Sequence, residues 1–195
     1  MSRKDEILRA AIDIAEREGV GEMSVRSVAA RAGVGASTLR YYFPTQQSLK
    51  DAVLAEIMHR QLSDFRITDR QVPPRIRLHE CLKQFLPPSA TDVPQLEAWL
   101  SMYAAQFDAA QQADARSMPV AFAASARRAT LGWLQLLEDE SRLRVPASEE
   151  LAAVLLATTN GLALDLIAES DDPEAAFARA DRALMAAVSL VVDDE

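Results

Sequence analysis

Residues 36–42, Ala-Ser-Thr-Leu-Arg-Tyr-Tyr, include five polar side chains, and none of them is a carboxylate. An arginine can donate two parallel hydrogen bonds to the edge of a guanine, whereas a tyrosine hydroxyl more often binds a phosphate. The chemistry available to these residue types is therefore hydrogen bonding to a nucleic acid. We predict that Arg40 contacts bases and that Tyr41 and Tyr42 chiefly contact the backbone.

Two short helices must hold this stretch in place. Ser24 is a favourable N-cap for the first helix, and Gly33 supplies the left-handed residue that ends it. Ala29 is small where two crossing helices approach closely, and Val34 fills the turn between them. The second helix is expected from Ala36 to Phe43. These features predict a helix-turn-helix, although the same residues also suit an ordinary helical hairpin.

Further helices on either side of this hairpin are predicted from apolar residues at helical spacing. The first runs from Arg3 to Glu18 and braces the hairpin. After Pro44, a long helix is expected over residues 46–66, with Leu62 and Phe65 packing on the rest of the chain. This long helix is the natural lever between the hairpin and the body.

The segment 39–44, Leu-Arg-Tyr-Tyr-Phe-Pro, followed by Leu49, is a second specific pattern. With it, residues 7–53 resemble the N-terminal domain of the TetR family of transcriptional repressors. The sequence departs from that family at Arg40, where tyrosine is most usual, and at Gln46, where a phosphate-contacting lysine is common. The motif and the resemblance together predict a DNA-binding surface formed by Ser24, Arg26, Ala36, Ser37, Thr38, Arg40, Tyr41, Tyr42 and Gln46.

Prolines divide the rest of the chain into predicted helices. No stretch alternates polar and apolar residues as a strand does, so we expect an all-α fold of about nine helices. A DNA-binding domain is expected at residues 1–50, followed by a helical effector-binding and dimerisation domain at residues 51–195. The body helices are predicted at residues 75–86, 94–112, 119–143, 147–170 and 174–192.

The charge of the chain is divided unevenly between these two parts. The net charge of −8 is the sum of +2 over residues 1–50 and −10 over residues 51–195. A basic end on an acidic body favours local attraction to phosphate. The single Cys81 excludes an internal disulfide, and neither a secretory leader nor an apolar run of about 20 residues is present, so we expect a cytoplasmic protein without a membrane partner.

Aromatic residues of the central helices are candidates for the wall of an effector cavity, as the resemblance implies. The alternative is that they belong to the core, which is the usual place for such a stripe. The candidates are Trp99, Tyr103, Phe107, Phe122 and Trp133. Trp99-Leu100 and Asn160-Gly161-Leu162 also resemble segments of the choline-responsive betaine-pathway repressors within the same family.

The last two predicted helices are apolar around more than half of their circumference. In the resembled family these helices pair with their copies in a four-helix dimer interface, which implies a homodimer. Burial inside one chain is the competing interpretation. The predicted interface residues are Leu155, Leu162, Leu166, Leu184 and Val188.

Residues that could support catalysis are scarce. His59, His79 and Cys81 show no pattern of a nucleophile, a metal site or a phosphate loop, so we predict no enzyme activity, no metal and no cofactor. The leading hypothesis is a DNA-binding regulator, most simply a repressor that a small molecule releases from double-stranded operator DNA. The alternative is an all-helical ligand- or protein-binding module without operator recognition.

Overall fold

Eight helices are present in the computed structural model, which describes residues 2–19, 22–86, 114–168 and 172–193. They are α1 (Arg3–Glu18), α2 (Val25–Ala32), α3 (Ala36–Tyr42), α4 (Gln46–Gln61), α5 (Pro74–Lys83), α6 (Asp114–Asp139), α7 (Glu149–Ala168) and α8 (Pro173–Val191). In these ranges the only extended pairing is an isolated antiparallel bridge between Leu143 and Val192. The prediction of an all-α fold is confirmed. The helix predicted at residues 94–112 lies outside the described residues.

Contacts divide the described chain into two compact units. The first holds the helices up to Gln61 together with the residues of α6 up to Ser125. The second holds residues 62–86 and the described residues from Ala126 onward. Each unit has its own apolar core. Among the helices that the structure describes, none is long and apolar enough to cross a membrane.

The core of the first unit is built from α1 to α4. A capping box starts α1, because Ser2 Oγ accepts the N–H of Asp5 while the Asp5 carboxylate accepts the N–H of Ser2. These two bonds satisfy backbone donors that a helix start leaves free. The buried core residues are Ile7, Ala11, Ile12, Ile14, Ala15, Met23, Val28, Ala29, Leu39, Phe43, Leu49 and Val53.

The turn between α2 and α3 depends on one glycine. Gly33 has φ 62° and ψ 37°, the left-handed conformation that side chains disfavour. The N–H of Val34 donates to Ala29 O (3.0 Å) and that of Gly33 to Ala30 O (3.3 Å). This is the Schellman pattern that closes a helix. Val34 is half-buried against the first core, so the predicted helix-turn-helix is present.

The second unit is centred on residues from α5 to α8. Their buried side chains are Ile67, Leu78, Cys81, Leu82, Leu86, Ala129, Trp133, Leu134, Leu137, Ala152, Leu155, Ala163, Leu166, Ala176, Ala180, Leu184, Val188 and Val192. A buried ion pair supports this core, since Arg77 Nη2 lies 2.6 Å from Glu140 Oε2. Arg77 Nη1 also donates to the carbonyl of Ile67 at 2.6 Å.

The long helix α4 ends at Gln61, five residues earlier than predicted. Residues 63 and 64 already belong to the second unit and bond within it: Gln84 bonds both the N–H and the carbonyl of Ser63, and Trp133 Nε1 donates to Asp64 Oδ1 at 2.7 Å. Phe65 takes φ 41° and is 53% exposed, so it does not pack as expected. Leu62 does pack against the second core.

Helix α6 differs from its predicted range at both ends. It begins at Asp114, so Pro119 lies inside a helix rather than at its start. It stops at Asp139 because Ser141 adopts φ 59° and the N–H of Arg142 turns back to Leu137 O at 2.9 Å. The prolines at the first positions of α5 and α8 do mark helix starts, where a missing N–H costs no bond.

Candidate nucleic-acid interface

One face of α3 is exposed, as predicted from its polar residues. Leu39 and Phe43 are 0% and 3% exposed in the first core, and their burial turns the opposite face outward. Tyr41 is 80% exposed. The other exposed residues of this face are Ala36, Ser37 and Arg40, whereas Thr38 and Tyr42 are half-buried. The exposed face carries donors and no carboxylate.

The two tyrosines differ in their surroundings. Their rings meet edge to face, with centroids 5.0 Å apart and planes at 87°. Tyr42 also packs against the first core, so its ring is supported on two sides. Lys4 Nζ lies 5.8 Å from the centroid of the Phe43 ring, which brings a cation from α1 to the C-terminal end of α3. The position of Lys4 was not predicted from the sequence.

Acidic side chains of the first unit are neutralised by neighbouring arginines. Asp13 pairs with Arg31 of α2 and with Arg17 Nε at 2.7 Å. Among the described residues, neither Arg26 nor Arg40 has an ion pair with an acid, and both are exposed. Arg26 and Arg40, both predicted to meet DNA, are therefore among the described cations of the first unit that have no acidic partner.

Two of the predicted DNA contacts already bond within the protein. Ser24 Oγ accepts the N–H of Ser27 at 3.0 Å, as an N-cap should, while the N–H of Ser24 donates to Ser27 Oγ at 3.0 Å. Gln46 Nε2 donates to the carbonyl of Met23 at 2.8 Å. Ser24 is thus tied to the start of α2, as predicted for an N-cap, whereas the sequence pattern did not reveal the bond from Gln46.

The predicted ligand-pocket residues separate into different places. Trp99, Tyr103 and Phe107 lie outside the described residues, and Phe122 is half-buried in the first unit. Trp133 is 2% exposed in the second core, with its ring 6.1 Å from that of Phe85. Trp133 thus lies in the core with its indole N–H bonded to Asp64, and its place in a cavity wall stays a prediction.

The predicted dimer residues are also placed differently from the prediction. Leu155, Leu166, Leu184 and Val188 are at most 4% exposed and belong to the core of one protomer; Leu162 is half-buried against it. These side chains are therefore covered wholly or partly by their own chain, and their part in an interface with a second copy stays a prediction. Burial inside the chain was the competing interpretation.

The opposite faces of α7 and α8 are exposed and largely apolar. Val154 is 60% exposed, Leu164 51% and Leu190 75%. The exposed α7 stripe is Val154, Ala157, Leu164 and Ala168, beside the half-buried Gly161, and the α8 stripe is Arg179, Ala183, Ala186 and Leu190. A cleft of about 200 Å³ lies between the two helices, with apolar walls and with Asp165 and Arg179 among its lining residues.

The described residues offer no cluster of three or more metal-ligating side chains. His79 Nε2 lies 3.2 Å from Asp181 Oδ1, and Lys83 Nζ lies 2.7 Å from the same oxygen, which forms a bridge between α5 and α8. Burial raises the pKa of the Cys81 thiol to about 12, so this thiol is not a nucleophile at neutral pH. These groups support the core rather than chemistry.

Comparison with known proteins relates the described geometry to a family. Residues 7–53 match the family described as bacterial regulatory proteins, tetR family. Similar solved structures include a TetR transcription regulator from Haloarcula marismortui ATCC 43049 (17% identity, TM-score 0.50, 98% of each chain). A protein from Saccharomonospora viridis described as a transcriptional regulator, in complex with choline, is 18% identical over 97% of each chain with TM-score 0.52.

A third similar structure is that of SmeT in complex with triclosan. It is 18% identical, with TM-score 0.50, and the match covers 100% of this chain and 93% of that one. These likenesses show a shared fold. No curated protein matches the sequence.

The helix-turn-helix, its acid-free exposed face and the match of residues 7–53 agree with one another. Proteins of that family are DNA-binding transcription regulators and not enzymes. Residues 7–53 therefore form a DNA-binding domain of the tetR family of bacterial regulatory proteins, and the whole chain shares its fold with solved regulators of that kind.

Proposed function

We propose that this regulator is a repressor that binds double-stranded operator DNA through residues 1–50 and is released by a small molecule bound in residues 51–195. The observation that carries the DNA part is the exposed face of α3, where Arg40 has no acidic partner among the described residues. Arg40 is proposed to contact bases, while Arg26, Ser37, Thr38, Tyr41 and Tyr42 contact the sugar-phosphate backbone. Ala36 allows close approach at the start of α3.

Selection from a random duplex library with the full chain tests this proposal and provides an operator sequence. Arg40→Ala should flatten base preference at one position per half-site, because a bidentate arginine supplies about 1–3 kcal/mol of discrimination. Arg17→Ala is the matched control: it removes the same charge from α1, where Arg17 pairs with Asp13. An equal loss on all sequences, with a lower salt slope, would make Arg40 a phosphate contact.

We further propose that the active form is a homodimer, because a two-fold operator needs two copies of the recognition helix. The exposed stripes of α7 and α8 replace the buried residues that the sequence suggested. Their small residues allow close approach of helices, and Val154, Leu164 and Leu190 supply apolar area that water otherwise covers. The cleft beside Asp165 and Arg179 offers space for a side chain of the second copy.

Light scattering with Leu190→Glu tests this arrangement. The charge would lie in the interface of a dimer, so we expect the monomer mass with an unchanged helical spectrum. Leu136→Glu on α6 is the control, since Leu136 is also exposed (39%) but lies outside these stripes. A dimer mass for Leu190→Glu at micromolar concentration places the interface elsewhere.

The effector is proposed to bind among the helices spanning residues 75–143, with Trp99, Tyr103, Phe107 and Phe122 as candidate contacts. Two structures of the same fold hold choline and triclosan, which supports testing a quaternary amine and a chlorinated aromatic first. An effector that binds the released state about 100-fold more tightly than the DNA-bound state weakens operator binding by at most about 2.7 kcal/mol. We expect at least one compound of a thermal-shift screen to stabilise the chain and to lower its affinity for the selected duplex. Stabilisation without release would leave a constitutive repressor.

A further inference from the structure

A side-chain hydrogen bond links the starts of two helices of the first unit. Gln46, the first residue of α4, donates from Nε2 to the carbonyl oxygen of Met23 at 2.8 Å. Met23 directly precedes the N-cap of α2 and is 1% exposed in the first core. The acceptor is thus held by a buried side chain, and the bond connects segments 23 residues apart.

The neighbouring polar side chains serve their own helices. Ser24 and Ser27 cap α2 reciprocally through their hydroxyls. At the start of α4, Thr45 Oγ1 accepts the N–H of Ser48 at 2.9 Å, and Ser48 Oγ accepts the N–H of Thr45 at 3.2 Å. These caps fix each helix start locally, whereas the Gln46 amide fixes one start relative to the other.

Gln46 has no charge to give to a phosphate, and one of its two amide N–H donors is engaged by Met23. Since α2 is joined to α3 by the tight Gly33 turn, a change at the start of α2 alters where α3 presents its exposed face.

We propose that Gln46 is a positioning residue for operator binding: it sets the start of α2, and through it the recognition helix α3, relative to α4. This inference rests on the proposed DNA-binding function. Gln46 acts through the protein and not as a side-chain contact to phosphate. Its loss lowers affinity because the free chain then samples arrangements that the operator does not fit.

Binding of the selected duplex by Gln46→Met tests the proposal, because methionine keeps the length of the side chain but cannot donate. We expect an affinity loss of up to about tenfold, the limit set by one neutral hydrogen bond, with an unchanged salt slope. Gln47→Met is the matched control, since Gln47 Nε2 bonds Asp51 within α4 at 2.9 Å. Its affinity should stay within about twofold of the wild type.

A double-mutant cycle with Ser24→Ala separates positioning from direct contact. If Gln46 acts through the start of α2, the losses caused by Gln46→Met and Ser24→Ala are less than additive, and amide exchange at residues 25–27 rises in Gln46→Met. Additive losses with unchanged exchange overturn the proposal, as does wild-type affinity of a folded Gln46→Met. Failure of the wild-type chain to select any duplex refutes the proposed function instead.

Discussion

Glu140→Gln tests the buried ion pair of the second unit. Arg77 is 1% exposed, and its guanidinium donates to two groups, the Glu140 carboxylate and the Ile67 carbonyl. Neutralising Glu140 leaves a buried cation with one carbonyl and one weaker amide oxygen. Because unpairing a buried charge is costly, we expect the free energy of unfolding to fall by about 3 kcal/mol. For a chain of this size that lowers the melting temperature by about 6–12 °C.

A matched control comes from the same carboxylate. Arg70 Nε also lies 3.3 Å from Glu140 Oε1, but the Arg70 side chain is 77% exposed. Solvent screens such a pair, so Arg70→Ala should cost no more than about 1 kcal/mol. The contrast between the two variants separates the effect of burial from the effect of charge.

The same pair predicts how stability depends on pH. The hydrogen bond from Arg77 holds the pKa of Glu140 below its ordinary value of 4.5. The unfolded chain therefore takes up the proton first, so the stabilisation is complete above pH 4.5 and is lost as the pH falls through the folded pKa. The stability difference between wild type and Glu140→Gln should shrink below pH 4.5.

Urea unfolding followed by circular dichroism, at several pH values between 3.5 and 7, measures both quantities. A cost below about 1 kcal/mol at pH 7 would contradict the assigned burial of the pair. A difference that stays constant down to pH 3.5 would contradict the depressed pKa of Glu140.

Two further substitutions test local features by urea unfolding. Gly33→Ala should destabilise the chain by about 1–2 kcal/mol, because a φ of 62° is unfavourable for alanine. Gly132→Ala inside α6, where an added Cβ also meets open space, is the control and should stabilise the chain by up to about 1 kcal/mol. Equal effects of the two substitutions would contradict the left-handed turn. Asp64→Ala leaves the buried Trp133 N–H without its acceptor and should lower the free energy of unfolding by about 1–3 kcal/mol. Asp64→Asn keeps an acceptor oxygen and should lower it by less than half as much. Equal losses would show that the bond to Trp133 is not the cause.

The first three helices could be predicted from sequence because their limits are local. Gly19 ends α1, Ser24 caps α2 and Gly33 ends it, and each effect acts within about one helical turn. The exposed face of α3 follows from the burial of Leu39 and Phe43, which spacing alone indicates. For these elements the observed ranges match the predicted ones to within a residue.

The end of α4 could not be predicted in this way, because its cause lies far along the chain. Apolar spacing continues to Phe65, but Gln84 and Trp133 supply the hydrogen bonds that take residues 63 and 64 out of the helix. Those partners are 20 or more positions away in the sequence, so no local pattern predicts these hydrogen bonds.

The last two helices show a different reason for failure. A pattern that is apolar around most of a helix states how much surface is buried, but not which part faces its own chain and which faces a second copy. Leu184 and similar side chains fill the protomer core, whereas the outward stripes hold mostly small residues together with Leu164 and Leu190. Apolar spacing alone therefore did not separate Leu184, which faces the protomer core, from Leu164 and Leu190, which are exposed. The exposed stripe with Ala157 and Ala186 is therefore the interface that we propose, and the Leu190→Glu variant tests it.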